Sequence, residues 1–317
     1  AMCDYLLAHT TIGPPRPGRH TPSYVVVHEI LFGMSTAVTP SALATQLLDL
    51  GVEPGGVLVV HSSYRAIRPV EGGPQGVIDA LLEAVGPHGT IVMPSWPGDD
   101  DNPFDPNAAS SPDLGAIADT FWRQPGAVRT DHPFTFAALG PEARRITSDP
   151  LPIPPHRLES AIGRAWELDA QILLLGVGHD SNTTIHLAEV LGGAPYRVPK
   201  HITHLVDGHP VRIEYGENDH CCQRFTLADG WLRERGLQRE GPVGHGHARL
   251  IRSRDVIDVV VEQVRRDPVI FLHRLGSGCG GRVAKVSLGS SSTGRRLMVA
   301  SAAPVTMLVA PGPTEVV

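Results

Sequence analysis

Short aliphatic runs bracketed by glycine and proline recur between stretches of helical spacing, and this alternation narrows the fold more than any other feature of the chain. Val57-Leu58-Val59-Val60, Ile91-Val92-Met93 and Ile172-Leu173-Leu174-Leu175 are apolar at every position. A strand with no polar face has to be covered on both sides, which is the situation of a sheet layered between helices. The intervening segments supply the helices. Thr39-Pro40-Ser41 is a capping sequence ahead of Leu43, Leu47 and Leu48, and Gly76 to Val85 has an amphipathic period. Further helices are expected over Leu114 to Arg123, Pro141 to Thr147, Thr183 to Leu191, Thr226 to Arg235 and Ser253 to Arg266. Two later strands, His204 to Val206 and Val211 to Tyr215, flank Asp207-Gly208-His209-Pro210 and predict a hairpin, so the fold is expected to be α/β with a mixed sheet.

Composition sets the outer limits. With 41% hydrophobic residues among 317, the chain has material for a full-sized core and is not disordered as a whole. A net charge of −6 is the wrong sign for a protein held to nucleic acid by its phosphates, and no long apolar block predicts a membrane span. Four cysteines, Cys3, Cys221, Cys222 and Cys279, do not make a disulfide framework, and a cytoplasmic location fits. Residues 1–37 are expected to be a flexible leader, 38–273 the working domain and 274–317 a tail of low order.

Three places carry enough polar chemistry to be sites. In the first, the strand Leu173-Leu174-Leu175 turns through Gly176-Val177-Gly178 into a helix on which Asn182, His186 and Glu189 are expected to form one polar stripe. Ser181 stands where a dinucleotide fingerprint needs its third glycine, so that reading is weak. The second is Tyr215-Gly216-Glu217-Asn218-Asp219-His220-Cys221-Cys222, where Glu217 and Asp219 share a side if the strand continues. Zinc is disfavoured there, because sequence neighbours cannot all face one ion. The third follows the first apolar run. His61-Ser62-Ser63-Tyr64-Arg65 and the glycine-rich helix entry at Gly72-Gly73 suit a phosphate or an amide, but no Walker lysine occurs. The turn Met93-Pro94-Ser95-Trp96 likewise lacks the glycine of a hydrolase elbow. The segment Trp96 to Pro112 has no period and reads as a long loop.

Taken in order, Leu58 to Ser63, Gly89 to Trp96, Arg129-Thr130-Asp131-His132-Pro133, Leu173 to Glu189, Glu217 to Cys222 and Gly241-Pro242-Val243-Gly244-His245 resemble the aminoglycoside 3-N-acetyltransferase family. The likeness runs from about Leu43 to His273 and is nearest the branch that acetylates apramycin and gentamicin. It implies a mixed-sheet α/β sandwich of that family's type, distinct from the common N-acetyltransferase fold. It also implies an acetyl group passed from acetyl-CoA to the 3-amino group of the 2-deoxystreptamine ring, conferring resistance, with no metal.

The same resemblance places acetyl-CoA against Ser62, Ser63, Tyr64, Met93, Pro94, Ser95, Arg129 and His132. It puts the family histidine on His186 and the acidic segment on Glu217 and Asp219. An ammonium is no nucleophile, so amide formation needs a base, and an imidazole titrates in the right range. His186 is therefore expected to act as general base, with Glu217 or Asp219 holding the imidazole or the amine. Asp99, Asp100, Asp101 and His156 are expected to complete the aminoglycoside site. The expected partners are the aminoglycoside and acetyl-CoA, with a homodimer admitted. An acetyltransferase for some other amine, or a metal-bound module around the His/Cys cluster, are the alternatives.

Overall fold

Successive side chains of a strand point to opposite faces, and here each face meets its own apolar layer. In the computed structural model, which describes residues 36–218 and 222–273 and the backbone of residues 307–308, β1 (Val57–Ser62), β2 (Thr90–Pro94) and β5 (Gln171–Leu175) form the centre of a seven-stranded sheet. Val57, Val59, Val92, Ile172 and Leu174 face one core, and Leu58, Val60, Ile91, Met93, Leu173 and Leu175 face the other. The second core is closed by α1 (Pro40–Leu50), α3 (Pro74–Val85) and α4 (Gly115–Phe121). The first is closed by α5 (Ala143–Thr147), α6 (Ala161–Glu167), α7 (Thr184–Gly192), α8 (Leu227–Glu234) and α9 (Ser253–Arg266). The result is three layers, helix on sheet on helix.

β1 pairs in parallel with both β2 and β5. The sheet is then extended in the antiparallel sense by β3 (Val128–Arg129) and β4 (Phe136–Leu139) on one side and by β9 (Gly246–Arg252) and β8 (Gln238–Val243) on the other. The order is β3-β4-β2-β1-β5-β9-β8, so the mixed character expected of the sheet holds. Its antiparallel flanks were not expected. Outermost β8 includes Gly241 and Pro242, residues tolerated in a strand at the edge of a sheet.

The predicted hairpin forms, with longer arms than expected. β6 (Val198–Val206) and β7 (His209–Glu217) pair over their whole lengths, from Val206 opposite His209 to Val198 opposite Glu217. Only Asp207 and Gly208 remain in the turn, both at positive φ (51° and 79°), the two-residue geometry that matches strand twist. His209 and Pro210, expected in the turn, belong to the strand. This hairpin starts a second, three-stranded sheet whose third member is β10 (Met307–Leu308), antiparallel to β7.

Of the expected leader only Thr36 and Ala37 are described, and of the expected tail only the backbone of residues 307–308; the rest of both lies outside the described residues. Among the described residues no helix is long and apolar enough to cross a membrane.

Leu174 is fully buried on a central strand, with Ile172 and the α7 and α9 residues in the same layer. Leu174→Ala should lower unfolding stability by about 2–5 kcal/mol in urea titration, the cost of lost burial plus the residual cavity.

Candidate active site

Because β1 and β5 run side by side in parallel, their C-terminal ends open at one edge, the usual site position in layered α/β proteins. Ser62 pairs with Leu175, and the Ser63 amide donates to the Leu175 carbonyl at 2.9 Å. Beyond Leu175 the chain turns at Gly176, whose φ is 72°. A Cβ there would lie 2.7 Å from that of Ala66 in the short helix α2 (Tyr64–Ile67), so glycine alone allows the two strand-end loops to touch.

The chain next makes a 3₁₀ turn over His179–Ser181 and enters α7. Asn182 is not on the helical stripe expected of it. It precedes the helix, where its Oδ1 accepts from the Thr184 amide at 3.1 Å and its Nδ2 meets His179 Nδ1 at 3.2 Å. His186 and Glu189, three residues apart on α7, do share a face: His186 Nδ1 is 3.1 Å from Glu189 Oε2. Glu189 has no exposed side-chain surface, whereas His186 keeps 16% of its own. The other Glu189 oxygen, Oε1, accepts from the hydroxyl of Tyr196.

The second ring nitrogen, His186 Nε2, faces Cys222 Sγ at 3.7 Å. Two rings complete the surroundings. Phe225 meets the imidazole edge to face, with centroids 4.9 Å apart, and His156 stacks on it at 5.1 Å and 15°. His156 comes from the loop between α5 and α6 and sits at φ 63°, a left-handed conformation uncommon for a side chain of this size. Glu217, the last residue of β7, brings Oε1 to 4.0 Å from His156 Nε2 and Oε2 to 4.0 Å from Lys200 Nζ. Segments far apart in sequence thus converge on one imidazole.

The stacked histidines titrate in opposite directions. For His186, burial works against charge but is outweighed by the hydrogen bonds to Cys222 and Glu189 and by their charge, which hold the imidazole well above the ordinary histidine range. For His156, burial and then repulsion from His186 push the ring well below it. His156 is therefore neutral near pH 7, and its approach to Glu217 is not an ion pair. His61, on β1, has its Nε2 buried with no hydrogen-bond partner among the described residues and is pushed down to about 4 by burial and by His179. Burial and Glu189 hold the Tyr196 phenol in its protonated form.

Among the residues expected in the site, His186, His156 and Glu217 come together, while Asp219 lies outside the described residues. Ser62, Ser63 and Tyr64 are half-buried at the neighbouring strand end. Met93, Pro94 and Ser95 are buried, and Met93 belongs to the core. Arg129 ties the loop down from inside, donating to the carbonyls of Ser95 (2.5 Å), Pro106 (2.6 Å) and Ala108 (2.9 Å) and lying over Trp122. His132 is buried, bonded to Asp149 at 2.9 Å. Asp99 closes its own turn on Asn102, Asp101 pairs with His201 at 2.7 Å, and Asp100 is exposed. Sequence reading gave no role to Tyr196, weighed Cys222 only as a disfavoured metal ligand, and gave none of its own to Glu189. The His-x-x-Glu spacing was the available signal for the last.

The family model described as aminoglycoside 3-N-acetyltransferase matches residues 59–265, which span both strand ends, α7 and the hairpin. The chain belongs to this family. It is 62% identical over 232 residues to aminoglycoside N(3)-acetyltransferase IV of a Salmonella species, a match covering 73% of this chain and 89% of that one. Identity to aminoglycoside N(3)-acetyltransferase VII of Streptomyces paromomycinus is 32% over 259 residues, covering 70% and 89%. Among solved structures, the apoenzyme of aminoglycoside acetyltransferase AAC(3)-IVa superposes with a TM-score of 0.77 at 59% identity, covering 78% of this chain and 96% of that one. A histidine-to-alanine variant of AAC(3)-IVa in complex with apramycin gives 0.73 at 56%, covering 78% and 99%. Family membership makes the chain an acyltransferase and accounts for its mixed α/β sheet.

The opposed titration of the two rings is directly measurable. In a histidine NMR titration, His186 should protonate above the ordinary histidine midpoint and His156 below it. Glu189→Gln, which removes a charge that favours imidazolium, should move the His186 midpoint down.

Proposed function

We propose that this enzyme acetylates the 3-amino group of an aminoglycoside of the apramycin or gentamicin type, taking the acetyl group from acetyl-CoA by direct attack, with His186 as general base. The observation that carries the reading is the chain Tyr196–Glu189–His186, which holds one ring nitrogen and so fixes the direction of the other. Glu189 accepts from Nδ1–H, so in the neutral ring the lone pair resides on Nε2, and Nε2 takes the proton of the attacking amine.

As the nitrogen bonds to the acetyl carbon, the thioester C–S bond breaks and coenzyme A leaves as a thiolate, which recovers a proton from the imidazolium. Glu189 and Tyr196 act as positioning residues. They fix the ring and compensate the positive charge that it gains. His156 shields one face of the ring, and Glu217 beside it is suited to an ammonium of the polycationic sugar. The half-buried hydroxyls of Ser62, Ser63 and Tyr64 are assigned to acetyl-CoA. The buried Met93, Pro94, Ser95 and His132, with half-buried Arg129, support that surface from beneath. Exposed Asp99, Asp100 and Asp101 lend negative potential to the approach. The product amide carries no charge at pH 7, so the drug loses one of the cationic groups that draw it to anionic targets, and resistance follows.

His186→Ala should reduce thiol release with acetyl-CoA and apramycin or gentamicin by about 10²- to 10⁴-fold while leaving the melting temperature nearly unchanged. Wild-type turnover in that variant would refute the base assignment. Catalysis uses the neutral ring, so kcat/KM should rise with pH through a midpoint above the ordinary histidine value and fall away on the acid side. Glu217→Gln should raise KM for the aminoglycoside and leave KM for acetyl-CoA alone, measured in the same assay.

A further inference from the structure

Direct attack by the amine makes no use of the sulfur beside the base. Cys222 is half-buried at the start of the 3₁₀ turn Cys222–Thr226, its Sγ 3.7 Å from His186 Nε2, on the opposite side of the ring from Glu189. Sulfur, imidazole and a buried carboxylate thus stand in a row. A nucleophilic thiol needs this constellation: a base within reach of its proton, and a third group that holds the base and stabilises the imidazolium formed. Glu189 is itself fixed by the Tyr196 hydroxyl, so the row does not depend on solvent for its order. Cys222 is itself half-buried, not enclosed, so a small reagent can approach its sulfur.

We propose that Cys222 is a covalent modification site for small, soft carbon electrophiles of the haloacetamide class, activated by His186 and Glu189. The sulfur uses an electron pair to form a bond to the carbon next to the amide. The carbon–halogen bond breaks and the halide departs with its electrons, and the thiol proton, already on His186 Nε2 in the reactive thiolate–imidazolium form, stays on the ring until water takes it up. Nothing is oxidised or reduced. The adduct occupies the space in front of Nε2, the position assigned above to the acceptor amine. Its effect on acetyl transfer therefore rests on that reading, whereas the labelling itself does not.

The test treats the full-length protein with limiting iodoacetamide and follows each cysteine by peptide mass mapping, with fragment ions separating Cys222 from Cys221. Cys222→Ser serves as the control for site assignment. In wild type, Cys222 should react fastest of the four cysteines, and His186→Gln should slow it by about tenfold or more. Labelling of Cys222 at one rate in wild type and in a His186→Gln variant of unchanged melting temperature overturns the proposal. Saturating apramycin or gentamicin should protect Cys222. Histidine-dependent labelling without that protection supports the activated thiol and counts against the placement of the amine at Nε2.

Discussion

A carboxylate with no exposed surface has to be satisfied from within the protein, and among the described residues the fold brings His186 and Tyr196 to Glu189 for that purpose. The mechanism of delivery is local. Helix α7 ends at Gly193, in the left-handed conformation at φ 77°, and the Ala194 amide then turns back to the Glu189 carbonyl at 2.9 Å. The reversal carries Tyr196 alongside the helix it has just left, so its hydroxyl reaches one carboxylate oxygen. The other oxygen is reached from within the helix by His186, one turn earlier. Both ends of the chain that orients the ring therefore come from a single helix and its cap, independent of the distant segments that line the rest of the site.

The asymmetry of the stacked histidines follows from this anchoring. Two parallel imidazoles 5.1 Å apart cannot both carry charge cheaply in a buried setting, so whichever has the better compensation keeps the proton. His186 has Glu189 and Cys222 as partners, and His156 has neither. A charged or proton-accepting ring lies against a neutral one, and the neutral ring excludes water from one face without competing for the proton. The left-handed backbone at His156 is consistent with a position set by this packing rather than by local preference.

How much of this could be read from the sequence depended on where each interaction is encoded. The central strands were visible because burial on both faces leaves an unbroken aliphatic run. Strands such as Gln238–Val243 were not, since an edge strand with glycine and proline resembles a loop until its partner is known. His186 stood out through its place after a strand, and Glu189 through helical spacing, but the role given to Glu217 or Asp219, holding the imidazole, is filled within the described residues by Glu189. Cys222 touches the ring from 36 residues away. That contact depends on the hairpin's placement, which no local pattern encodes. The same holds for Arg129 and Asp101, whose bonds to the Ser95 carbonyl and to His201 pin the long loop.

The hairpin also sets a constraint that reaches the site from a distance. Val211, Ile213 and Tyr215 are buried on one face of β7, and Glu217 is the next residue of that alternation. Its position beside His156 is thus decided by strand register, and the register is decided at the opposite end by the two-residue turn Asp207-Gly208. A slip of one residue would send the three apolar side chains to solvent and turn Glu217 away with them. The apolar face resists such a slip far more strongly than a single carboxylate could, so the small hydrophobic layer of the second sheet is what holds an acidic group beside His156.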